Sequence, residues 1–110
     1  MHASTLRPLV ILLLALAAAT AAAATVEQVF EDAAALDAAS DDHLSAVRTA
    51  HVSQRAALAQ QHSALRSEQS ALVADRASLQ DCGCATIDAL LASIDATLDE
   101  AGVIIDGWGQ

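Results

Sequence analysis

Cys82-Gly83-Cys84 is the sharpest chemical feature of this chain, because these are its only two cysteines. Three chemistries are open to them. Each could bridge to another chain, since no further cysteine offers an intrachain partner elsewhere. They could pair with each other across Gly83, whose missing Cβ eases so tight a ring. A bridge of that kind could also exchange with other thiols, which would be an enzymatic role. Metal ligation fits poorly, because two thiolates are too few and no histidine stands at a normal ligand spacing. A helix opening near Thr86 would favour a thiolate at its positive end, and Asp81 would oppose one.

Two further groupings carry titratable side chains. His51, Arg55 and His62 share one side of a helix, but histidines eleven residues apart stand about 16 Å apart along it, too far to share an ion. They are expected to be solvated or paired with carboxylates. Asp95, Asp99 and Glu100 lie close on another helix. Paired carboxylates do acid–base work only where a pocket shifts one of their pKa values. A chain with one Trp, one Phe and no Tyr has little to wall such a pocket. No nucleophile elbow, phosphate loop, H-E-x-x-H zinc motif or calcium-loop sequence is present. No catalytic residue, cofactor or metal is therefore expected.

The elements that must position these residues are helical. Proline is absent after Pro8, and the four glycines are Gly83, Gly102, Gly107 and Gly109. The rest is rich in Ala, Leu, Gln, Arg, Glu and Asp, which favours helix. The expectation is helix A over 25–40, helix B over 43–81, helix C over 86–101 and a tail over 102–110. Ser40-Asp41-Asp42 offers N-cap chemistry between A and B. From Val47 to Asp81 a seven-residue repeat reads VRTAHVS, QRAALAQ, QHSALRS, EQSALVA, DRASLQD. It places Leu44, Leu58, Leu65, Leu72 and Leu79 on one row. The row four residues after each leucine is Arg48, Arg55, His62, Gln69 and Arg76, which is polar. A two-stranded leucine zipper would want it apolar. Long polar stems lying over the leucines fit better. Helix C is amphipathic through Ile87, Leu90, Leu91, Ile94 and Leu98, with Gly102 as its expected stop.

Charge alternates along the chain. Residues 25–42 hold six acids and no base, 43–80 hold four arginines and two acids, and 81–110 hold six acids and no base. Such a pattern suits a long central, heptad-bearing helix with two shorter amphipathic helices folded back on it. The expected class is all-α, either a helical hairpin or three-helix bundle or a coiled-coil assembly. The leucine row and helix C form the expected association face.

Composition bounds the rest. The chain has 110 residues and a net charge of −9, so it repels phosphate and is not expected to bind nucleic acid. It is 55% hydrophobic by count but only 2% aromatic, and much of the apolar count is Ala. Arg7, then Leu9 to Ala19 without a charge, then Ala22 and Ala24 at the small positions, make residues 1–24 read as a secretory signal. The apolar run is too short for a membrane span. Removing it leaves 25–110 as one small helical domain, secreted, with no integral membrane segment. The functional expectation is association with a protein partner or with itself, without catalysis. The alternatives are a carrier of lipid or another apolar ligand, and thiol–disulfide exchange at Cys82 and Cys84.

Overall fold

The computed structural model of the protein describes residues 24–80 and 82–109; the expected leader lies, apart from Ala24, outside the described residues. Three helices carry the chain: α1 over Val26–Arg48, α2 over Arg55–Ser78 and α3 over Ala85–Trp108. Together they form an all-α three-helix bundle, running up, down and up, and no described residue is in a strand. The helices have 23, 24 and 24 residues, so no long central rod is flanked by shorter arms.

Thr25 starts α1 with a reciprocal cap: Gln28 N–H donates to Thr25 Oγ1 and Thr25 N–H donates to Gln28 Oε1, both at 3.1 Å. The helix then runs straight through Ser40-Asp41-Asp42, where the sequence suggested a new start. The reason is the face it buries. Val29, Ala33, Leu36, Ser40, His43, Leu44 and Val47 are all buried, so ending at Ser40 would abandon half of a continuous seam. Helix A therefore extends eight residues beyond its expected end, and Leu44 belongs to it rather than to helix B.

The break falls at 49–54. Continuing the seam past Val47 would require Ala50, His51 or Gln54 inside, and none offers much apolar area. Thr49 Oγ1 instead donates to the Ser45 carbonyl at 3.1 Å, using its own side chain against the backbone. His51 turns extended, with ψ at 157°, and a short 3₁₀ turn over Val52–Gln54 leads into α2. His51 N–H donates to Gln54 Oε1, and Gln54 N–H to the His51 carbonyl, both at 2.9 Å.

Leu65 and Leu72 are buried in α2, with Leu58 and Leu79 partly buried at its ends. Helix α3 passes through Gly102 instead of stopping there. Ile104, Ile105 and Trp108 pack against Leu44, Val47 and Ala101, which gives the expected tail reason to stay helical. The Arg55 guanidinium sits 5.2 Å from the Trp108 ring centroid, a cation–π contact that joins the start of α2 to the end of α3. The pair packed most extensively is α1 with α3, not either with α2. Ile94 and Leu98 of α3 and Val29 and Ala33 of α1 are fully buried.

Three of the arginines bond carboxylates, all from α3. Arg66 reaches Asp95 at 3.2 Å and also Asp99, Arg76 reaches Asp88 at 2.7 Å, and Arg48 bonds Glu100. Among the described residues no carboxylate of α1 makes an ion pair, so only one of the two acidic segments pairs with the arginines. These exposed pairs contribute little stability each and serve mainly to fix how α3 lies on its neighbours, through Arg66 and Arg76 of α2 and Arg48 of α1.

Candidate functional site

Helices α1 and α3 run in the same direction, so their N-termini share one end of the bundle with the α2–α3 turn. Cys82 and Cys84 are paired there within the chain, their Cα atoms 5.2 Å apart, and neither is left free for another chain. Of the three sequence readings, this is the internal one. Gly83 between them takes φ +59°, the left-handed region, and an added Cβ would meet nothing within 4 Å; its constraint is the backbone alone. Cys84 is buried and forms the N-cap of α3, with its carbonyl accepting from Asp88 N–H at 2.9 Å. Cys82 is partly exposed.

Beside the pair lies an open cleft of about 260 Å³ lined by Val26, Glu27, Phe30, Cys84, Thr86 and Ile87, with Gly83 on its rim. Val26 and Phe30 of α1 remain 42% and 41% exposed while Val29, Ala33 and Leu36 turn inward. The cleft is therefore apolar surface left over once the core is filled.

The expected association face has a different place. Leu44, Leu65, Leu72, Ile87, Ile94 and Leu98 are buried within the single chain, and Leu58, Leu79, Leu90 and Leu91 pack partly buried against them. These side chains hold the bundle together and do not present a surface. Val26 and Phe30, at the cleft, follow the same helical spacing on α1 as its buried residues. What separates them is the second helix beside them, which the sequence pattern of α1 does not contain.

The polar row expected along one helix is divided, with Arg48 at the end of α1 and Arg55, His62, Gln69 and Arg76 on α2. Gln69 donates to Asp95 at 2.8 Å, and Arg76 bonds Asp88. That bond holds the Asp88 carboxyl below its ordinary range and the Arg76 guanidinium above its own. His62 parts from the expectation of a solvated histidine: it is half-buried and 3.1 Å from buried His43, while His51 is exposed in the turn. His43 passed unremarked in the sequence because it sits near an expected helix start. Its spacing of three from Ser40 and four from Val47 was the available signal.

Asp95, Asp99 and Glu100 stand exposed on α3 and bond Arg66 and Arg48. Asp32 behaves differently. Burial, and then the like charges of Asp75 and Glu31, raise its carboxyl above the ordinary value. Glu68 is raised by burial. Among the described residues no three histidine, cysteine or acidic side chains converge as a metal site. No helix among them is long and apolar enough to cross a membrane.

Fold and cleft together define a three-helix module with an apolar opening beside a cysteine pair. No family model, no curated protein and no solved structure matches this chain.

Proposed function

We propose that the protein acts by association, without catalysis, as a small secreted acidic module. Its cleft takes an apolar side chain from a protein partner whose flanking residues are basic. The observation that carries this is the exposure of Val26 and Phe30 in the cleft against Cys84 and Ile87. The charge of the partner follows from the neighbours: Glu27 lines the cleft, Glu31 lies a turn further on, and Asp32 is crowded by like charge. A basic flank would relieve that crowding. Residues 1–24 support export through their leader-like pattern.

The test is calorimetric titration with an amphipathic helical peptide of leucine and lysine. Wild-type protein is expected to bind it, and Phe30→Ala to weaken binding about tenfold, the loss typical of a central apolar anchor. Equal binding by Phe30→Ala, or none by wild type, rejects the cleft as the docking surface. Binding of an uncharged fluorescent apolar dye in place of the peptide, insensitive to salt, would favour the apolar-ligand carrier.

Thiol–disulfide exchange is a second reading, favoured by Cys84 standing at the N-terminus of α3 with Cys82 accessible beside it. Attack by a partner thiolate on Cys82 Sγ would release Cys84 as a thiolate, which the helix end stabilises. A second partner thiol then attacks the mixed disulfide at the partner's sulfur and leaves the protein with two thiols. Trapping tests it: Cys84→Ser should accumulate a mixed disulfide at Cys82 when offered an oxidised thiol peptide, at a rate at least tenfold above that of an exposed model cysteine. A rate equal to the model cysteine rejects exchange and leaves the bridge structural.

A further inference from the structure

The apolar core is interrupted once. One cluster runs from Val29, Ala33 and Leu36 to Ile87, Ile94 and Leu98; a second joins Leu44, Val47 and Ala101. Ser40 and His43 of α1, fully or almost fully buried, lie between them along the seam. His62 of α2 meets His43 there, with the rings stacked at a centroid distance of 5.2 Å. Gly102 of α3 faces the pair: a Cβ on it would stand 3.2 Å from His62 Nε2, so a side chain at 102 would crowd the ring.

Hydrogen bonding assigns the protons. Gln61 Oε1, 3.4 Å from His43 Nδ1, can only accept, so His43 carries its proton on Nδ1. Its Nε2 is then bare and accepts from His62 Nδ1–H at 3.1 Å. His62 Nε2 is the one basic nitrogen left outside the chain of bonds.

We infer that His43 and His62 form a proton-binding site that accepts one proton at His62 Nε2 and cannot accept a second without parting the rings, so that acid unlatches α1 from α2. The first proton keeps every bond. It is opposed by burial and by Arg66 on α2, and favoured by Asp106 and Asp99 of α3. A second proton would have to enter at His43 Nε2, which would set N–H against N–H and place a charge on a ring 1% exposed. From α2, His43 is faced by Gln61 and His62.

Burial is the leading cause that depresses the pKa of both rings, with the neighbouring His62 adding to it for His43 and the Gln61 bond opposing it. The unfolded chain, with ordinary histidines near pH 6.5, therefore binds protons first. Stability is complete above about pH 6.5 and is lost as pH falls from there toward the depressed folded values. Asp32 and Glu68, whose folded pKa values are raised, act with the opposite sign at lower pH.

The inference does not depend on the cleft and is tested on the full chain. A nuclear magnetic resonance titration should find His43 and His62 below the ordinary histidine value, as given by a short histidine peptide in the same buffer, and both rings as Nδ1–H forms at pH 8. In urea the unfolding constant should rise by up to about tenfold per pH unit for each histidine below pH 6.5. That rise should vanish in the doubly substituted His43→Leu/His62→Leu protein and roughly halve, on a logarithmic scale, in His62→Gln. His43 titrating together with the histidine peptide would overturn the inference, whether or not the variants fold. An unchanged pH slope in the double variant would do the same.

Discussion

Leu98→Ala should lower the unfolding free energy by roughly 2–5 kcal/mol, the range for emptying a buried leucine site. Leu98 is fully buried in the α1–α3 interface, where Val29, Ala33 and Ile94 are also sealed. For a domain of this size, total stability is on the order of 5–15 kcal/mol, so the loss is a large share of the whole. Urea denaturation followed by circular dichroism measures it. The control is Val103→Ala on the same helix, where the side chain is 73% exposed and the change should stay within about 0.5 kcal/mol. Equal midpoints for the two variants would mean that this face of α3 is not the core.

The second large effect separates two places where the chain could turn. Asp41→Pro should cost about 3 kcal/mol or more, because proline removes an interior helix bond and its ring strikes the preceding turn. Asp41 is exposed, so the effect comes from the backbone and not from lost packing. Val52→Pro should be nearly neutral. Val52 opens the 3₁₀ turn, follows a residue already extended at ψ 157°, and is 76% exposed. Thermal melts of the two variants decide the matter. A stable Asp41→Pro with a damaged Val52→Pro would move the first helix boundary back to Ser40-Asp41-Asp42.

These variants also mark how far the sequence carries. The all-α class is legible in the near absence of proline and glycine, and the inward leucines at 65 and 72 are legible in their seven-residue spacing. The buried part of α3 reads directly from Ile87, Ile94 and Leu98. Helix ends are less legible, because capping and packing compete. Ser40 looks like an N-cap in isolation, and only the continuation of the seam through His43 and Val47 shows why the backbone stays helical there. Gly102 looks like a stop for a similar reason. Its place inside α3 depends on two neighbouring helices: α1, against which Ile104, Ile105 and Trp108 pack, and α2, whose His62 ring crowds a Cβ at 102. At the candidate site, the cysteine pair is visible in the sequence, but the cleft is not. It exists because Val26 and Phe30 stand beside Ile87, sixty residues away in the chain, and no local pattern encodes that approach.

The dominance of α1–α3 contact has a consequence for the order of events during synthesis. Of the three described helices, the two that shield each other best are separated by α2 in the chain. Until α3 emerges, the nascent α1 can meet only α2, whose buried leucines are two. Until then the chain lacks a partner broad enough to cover Val29, Ala33 and Leu36, and the stable packing of α1 waits for translation to reach α3.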